Sequence, residues 1–247
     1  MNLSKHSVSP AVSVVTVTLN NADGLQATLQ SVVALTVRPL EILVIDGLST
    51  DGTEAVVAHF DSMLPIRYVR EADHGIYDAM NKGQRLARGQ LLHYLNAGDL
   101  VWGEPYLDAS SPRLLPTRIA RADGQHFIDD FVKLLGYGYC HQGVLLPRGH
   151  AAYNAGLRVA ADIEMLMQTF PRGLRTLPSS SAGGVTFRLG GVSSTRRADR
   201  DREILDAFAR HKGHWFHAAA WMLIRGKALM PASVRRGLAR VRGGTGR

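Results

Sequence analysis

A chain of 247 residues, 45% of them apolar, is long enough to bury a sizeable core as one large domain or one domain with an appendage. The single Cys140 excludes an intrachain disulfide and fits a reducing cytoplasm, and no apolar run reaches the roughly 18 residues that a membrane-spanning helix requires. The net charge of +8 is carried by the carboxyl end: nine Lys and Arg and no acid follow Asp206, leaving the rest of the chain near neutral. The amino terminus has no unbroken apolar run before a small-residue cleavage site, so no signal peptide is expected. Val12–Leu19 is apolar and β-branched and predicts a buried strand that runs into the turn Asn20–Gly24. Leu25, Leu29, Val32 and Val33 mark an amphipathic helix that Arg38-Pro39 closes. Leu40–Ile45 predicts a second strand, ending in Asp46-Gly47-Leu48-Ser49-Thr50-Asp51-Gly52-Thr53. Thr53 or Asp51 is placed to cap a helix over Glu54–Phe60, and Ile66–Val69 predicts a third strand.

Ile76, Met80, Gly83 and Ala87 lie at helical spacing after the polar turn Asp73-His74-Gly75, and Arg88-Gly89 ends that helix. Leu91–Leu95 is a short buried strand with Asn96-Ala97-Gly98-Asp99 at its carboxyl end, the edge at which open α/β sheets bind ligands. The alternation predicts a mostly parallel central sheet with helices on both faces. Neither GxGxxG nor GxxxxGK[ST] is present, which argues against a dinucleotide fold of the usual kind and a P-loop. Val101–Arg121 has no clear period and is a candidate for the strand continuing the sheet after Asp99. Phe127–Leu135 predicts a short helix, His141-Gln142 precedes a strand at Gly143–Leu146, and Tyr153–Phe170 contains a helix with Asp162 at its start.

Four of these blocks, VSVVTVTLNN at Val12–Asn21, VIDGLSTDGT at Val44–Thr53, EADHGIYDAMNKG at Glu71–Gly83 and LNAGD at Leu95–Asp99, resemble in order and spacing the family 2 glycosyltransferases. The likeness covers roughly residues 11–195 and is nearest to bacterial members that build surface polysaccharides and glycolipids. It implies an α/β, GT-A fold and an inverting transfer of sugar from a nucleoside-diphosphate donor (UDP-, GDP- or dTDP-sugar) to a glycan or lipid-linked acceptor. The domain is expected over 1–212, with a nucleotide-binding half at about 11–100 and an acceptor and catalytic half at about 101–195. The resemblance also implies roles for residues. Asp162, within ADIEML, matches the catalytic base, and Glu164 is the second acid; an N-cap is the alternative for Asp162. Thr18, Asn20, Asp46, Asp73, Lys82 and Asp99 match donor contacts. Asp99 also matches the last acid of the metal motif, with Asn96 and Gly98 where fuller forms have acids, so Mg²⁺ or Mn²⁺ would need further oxygens from substrate and water. His141 is a further candidate ligand, or a hydrogen-bonded turn histidine.

The tail, 213–247, combines its basic residues with Trp215, Phe216, Trp221, Met222, Leu223 and Ile224. That pattern predicts a basic amphipathic helical segment on an anionic membrane surface, hence an enzyme peripheral to the inner face of the cytoplasmic membrane. A solvated helix pair packed on the domain is the alternative, and nucleic-acid binding is the reading least favoured. A sugar nucleotidyltransferase is disfavoured because Leu19–Gly24 has one Gly and no basic residue. A non-catalytic nucleotide-sugar-binding or assembly protein of the same fold remains the alternative to an enzyme.

Overall fold

β1 (Val12–Thr18) is buried along its whole length, as its β-branched sequence requires of a strand covered on both faces. The computed structural model describes residues 12–107, 109–120, 137, 140–188, 197–213, 218 and 220–222. The helix expected at Phe127–Leu135 and nearly all of the tail lie outside these residues. β1 pairs in parallel with β2 (Glu41–Asp46) and with β4 (Leu91–Tyr94), and β3 (Ile66–Arg70) pairs in parallel with β2. The crossovers are α1 (Ala22–Val33), α2 (Thr53–Asp61) and α3 (Ile76–Leu86), so the expected alternation is present, although α1 stops at Val33, well before the Arg38-Pro39 expected to close it.

The continuation of the sheet expected within Val101–Arg121 is the short β6 (Arg113–Leu114), not β5 (Leu100–Gly103). The turn before β5 contains Gly98 at φ 108, and the Val101 N–H donates to Ser31 Oγ of α1 at 3.1 Å, which carries the chain over the sheet edge. β5 instead joins a three-stranded sheet of order β5-β9-β7, with β7 (Thr117–Ala120) and β9 (Gly183–Arg188). The place beside β4 goes to β8 (Val144–Pro147), which runs antiparallel, with β6 (Arg113–Leu114) beyond it. The main sheet therefore has the order β3-β2-β1-β4-β8-β6.

Two apolar cores lie on the two faces of this sheet. Val12 and Val14 face Leu25, Leu29, Val57 and Phe60 of α1 and α2. Val15 and Val17 face Met80 of α3 together with Met165, Leu166 and Phe208, from α4 (Ala161–Thr169) and α5 (Arg197–Lys212). A Cβ at Gly83 would collide with the Val15 side chain, so the glycine of the MNKG run lets α3 lie directly on β1. At the amino end of β2, buried Glu41 accepts from Ser13 Oγ at 2.7 Å, Arg67 at 2.8 Å and the Arg88 N–H at 2.6 Å. Burial raises the Glu41 pKa, and these donors more than offset it, leaving it below the ordinary value.

Candidate active site

The carboxyl ends of β1 and β2 are tied together by side chains. Asn20 takes the left-handed conformation (φ 49), its N–H donates to Ser49 Oγ at 2.8 Å, and its Oδ1 accepts from the Thr50 N–H at 2.8 Å. Leu48 is also left-handed (φ 71), which costs a non-glycine residue about 1–2 kcal/mol and places strain at the carboxyl edge of the sheet. Asp46 is wholly buried. Its Oδ1 accepts from the Ser49 N–H at 2.9 Å and Ser49 Oγ at 2.5 Å, and its Oδ2 accepts from the Tyr68 hydroxyl at 2.6 Å, with Arg70 at 3.7 Å. Asp46 thus organises this edge from inside. Asp51 does the same for α2: it accepts from the Thr53 N–H at 3.0 Å and from the Ala22 N–H at 2.9 Å, while Gly52 occupies the N-cap position itself.

Asp73 reaches across the end of β2. Its Oδ1 accepts from the Gly75 N–H at 2.9 Å, and its Oδ2 lies so close to Gly47 that a Cβ there would stand 2.6 Å away. Lys82 holds the same loop: its Nζ donates to the Ala72 carbonyl and lies 3.2 Å from Glu71 and 3.9 Å from Asp78. Its charge is therefore shared with the protein. Thr18 is buried, and its hydroxyl has no partner among the described residues.

A second group of candidates meets at the end of β4. Asp99 is 4% exposed, and its Oδ1 accepts from the Arg188 N–H of β9 at 3.2 Å. Burial pushes its carboxyl up to about 7, against the lowering pull of the Arg188 N–H, His141 and the Gln142 side chain. Thr28 of α1 shapes the turn, donating to the Asp99 carbonyl at 2.8 Å and accepting from the Gly98 N–H at 2.9 Å. The 3₁₀ turn His141–Gly143 then brings in the His-Gln pair. His141 Nδ1 lies 3.2 Å from Asp162 Oδ2, and its Nε2 is buried without a partner among the described residues. Burial pushes the Cys140 thiol well up, and the charges of Asp99 and Asp162 add to that effect.

The two acids of ADIEML are separated by their surroundings. Asp162 is the second residue of α4, not its cap; Ala160 holds that position without a side-chain bond. Its Oδ1 accepts from the Ile163 N–H at 2.9 Å, and its side chain stays 22% exposed. Tyr77 and Tyr153, stacked at 5.6 Å, both lie within reach of its charge. Glu164 is buried and committed to packing. It accepts from Arg210 at 2.8 Å, His211 at 2.9 Å and Asn154 at 3.1 Å. Burial pushes its pKa up, and the bonds from His211 and Asn154, with Arg210, hold it below the ordinary value.

Thr28, Cys140, Gln142 and Tyr153 were not singled out as site residues. Only Gln142, as half of the His-Gln pair, carried a signal; the others join through partners distant in sequence. Among the described residues no three His, Cys, Asp or Glu side chains are grouped to hold a metal ion by themselves. Asp99 and the unpartnered Nε2 of His141 offer a carboxylate and an imidazole, two donors that suit a divalent cation whose other ligands come from substrate and water.

The chain matches the model of glycosyl transferase family 2 over residues 13–105. It is 30% identical over 189 residues to a PGL/p-HBAD biosynthesis glycosyltransferase of Mycobacterium bovis, covering 66% of this chain and 70% of that one. A validoxylamine A glucosyltransferase of Streptomyces hygroscopicus is 38% identical over 104 residues, covering 40% of this chain and 24% of that one. Among solved structures, S. aureus TarS 1–349 in complex with UDP-GlcNAc superposes with a TM-score of 0.64 at 16% identity, over 86% of this chain and 70% of that one. The chain spans 42% of the longer TarS chain. The mannosyltransferase PcManGT from Pyrobaculum calidifontis, in complex with GDP-Man and Mn²⁺, superposes with a TM-score of 0.61 at 16% identity, over 96% and 81%. The structures show the shared fold and the sequence relative shows the kinship: the chain belongs to the family 2 glycosyltransferases and has their GT-A fold.

Proposed function

We propose that the protein transfers a sugar, with inversion, from a nucleoside-diphosphate donor to a hydroxyl of a glycan or lipid-linked acceptor, with Asp162 as general base. The observation that carries this reading is the Asp162 carboxylate, partly exposed and 3.2 Å from His141 Nδ1, while Glu164 is taken up by Arg210 and His211. Asp162 removes the acceptor O–H proton as that oxygen attacks C1 of the sugar. The C1–O bond to the diphosphate breaks on the opposite face, and its electron pair leaves with the diphosphate. Single displacement inverts the anomeric centre. Asp99 and His141 are the residues that would hold a divalent cation, which would supply positive charge to the leaving diphosphate when bound. The nucleoside is assigned to the edge formed by Thr18, Asn20 and Asp73, with Asp46 and Lys82 holding that edge in shape. The relative's part in PGL/p-HBAD biosynthesis supports a glycolipid acceptor.

The donor is identified by thermal unfolding with UDP-, GDP- and dTDP-sugars, because a bound ligand adds RT ln(1 + [L]/Kd) to stability. One sugar class is expected to raise Tm with Mn²⁺ or Mg²⁺ present, and excess chelator or Asp99→Ala is expected to remove most of that shift. A shift undiminished by chelator would exclude the cation. No shift with any donor would exclude the transferase reading.

We assign the basic tail to an anionic membrane surface, supported by its charge and by Trp221 and Met222, which are exposed beside buried Ala220. No helix among the described residues is long and apolar enough to cross a membrane. The chain is expected to float with anionic liposomes at 0.1 M salt and to release in part at 1 M, where the Debye length falls to about 3 Å. Equal flotation with neutral vesicles would rule out the electrostatic anchor.

A further inference from the structure

We propose that Glu203 is a positioning residue for the base, an inference that rests on Asp162 being that base. Ala160, at the cap position of α4, makes no side-chain bond of its own, and the buried N–H groups of the segment that enters the helix require partners. The partners come from α5. Glu203 Oε1 accepts from the Arg158 N–H at 2.9 Å, and Oε2 accepts from the Val159 N–H at 2.9 Å and the Ala160 N–H at 2.8 Å. Val159 and Ala160 are buried, so water does not readily replace the carboxylate, and without it these N–H groups would be left unpaired. Its negative charge also stands at the positive end of α4.

The same helix grips α4 a second time, through Arg210 and His211 on Glu164. Residues 158–160 and 164 thus bracket Asp162, which makes neither contact and faces His141 instead. The arrangement fixes the backbone on both sides of the base and leaves its carboxylate to the reacting groups. Reaction geometry is sensitive to displacements of this size: a shift of about 1 Å can cost about 10²-fold in rate.

The test compares Glu203→Ala and Glu203→Gln with Glu41→Gln, which loosens a carboxylate clamp at the far end of the sheet, and with Asp162→Asn. Each full-length variant is assayed well below its Tm, with UDP-GlcNAc and GDP-mannose as probe donors. The readouts are kcat for nucleoside-diphosphate release, donor Kd by calorimetry, and amide hydrogen exchange over residues 158–163. Glu203→Ala is expected to lower kcat about 10–100-fold at unchanged donor Kd, with faster exchange over 158–163. Glu203→Gln, which keeps one accepting oxygen, should fall between. Glu41→Gln should lose stability and keep its kcat. The inference is overturned if Glu203→Ala matches Glu41→Gln in kcat, or if donor Kd weakens in step with kcat. Should Glu203→Ala not fold, Glu203→Gln decides alone: faster exchange with normal kcat overturns the inference. Activity in Asp162→Asn would remove the base assignment and this inference together. An inactive Asp162→Asn beside a normal Glu203→Ala removes only the latter.

Discussion

Asp162→Asn is expected to lower the transfer rate about 10²–10⁴-fold, the usual worth of a general base, while donor affinity and fold are retained. The amide is nearly isosteric. Its oxygen can still accept from the Ile163 N–H or from His141 Nδ1, the two groups that Asp162 meets in the structure. What it cannot do is take the acceptor proton. Single-turnover release of nucleoside diphosphate, with calorimetry of donor binding, separates the chemical step from recognition. Turnover within a few-fold of the unaltered chain would remove Asp162 from the mechanism. Glu164→Gln provides the contrast, because that carboxylate joins α4 to α5 through Arg210 and His211. Its replacement is expected to lower Tm first, with activity following the folded fraction.

The second large effect concerns acid. His93 is fully buried: its Nε2–H donates to the Gln142 carbonyl at 2.7 Å and its Nδ1 accepts from the Tyr106 hydroxyl at 2.8 Å. His150 donates from Nδ1 to the Ala151 carbonyl at 2.7 Å and lies 3.0 Å from the Tyr94 hydroxyl. Burial pushes both down to about 4; their carbonyl partners pull the other way, and His141 adds to the lowering. Unfolding returns them to about 6.5, so between these values the unfolded chain binds more protons. The stabilisation of the neutral rings is complete above 6.5 and is lost as pH falls towards 4, roughly 3 kcal/mol for each histidine.

Asp99 opposes this. Its folded value near 7 means that the folded state gains a proton over the same window. Two protons taken up on unfolding, less one released, leave a net slope of about 1.4 kcal/mol per pH unit. Asp99→Asn should double it. Below about 4.5, Glu41 and Glu164, both held low in the fold, add further loss. Urea unfolding at half-unit steps from pH 4 to 7 measures these slopes. A flat profile in Asp99→Asn would contradict neutral burial of the two histidines.

The sequence by itself determined the strands and crossovers of residues 12–95 and their order. Period and β-branching are local properties, and Val12–Thr18 is buried whatever packs on it later. It also placed Asp99 at a strand end and Asp162 at a helix start. The four motif blocks pointed to the family that the comparisons then showed.

The tertiary structure alone decided which polar groups meet. The family resemblance ranks Asp162 above Glu164 in ADIEML, but nothing in the local pattern gives a physical reason for it. The distinction comes from Arg210 and His211, more than forty residues downstream, which occupy one acid and leave the other facing His141. Asp46 and Lys82 look in sequence like charges presented to a ligand, yet folding gives them partners in Ser49, Tyr68, Ala72 and Glu71. Likewise nothing local in Val101–Arg121 separates β6, which joins the main sheet, from β5, which the turn at Gly98 carries elsewhere. A hydrogen bond satisfies a buried group irrespective of the separation of its partners along the chain. Local pattern therefore specifies the elements, and packing specifies which side chains remain available for chemistry.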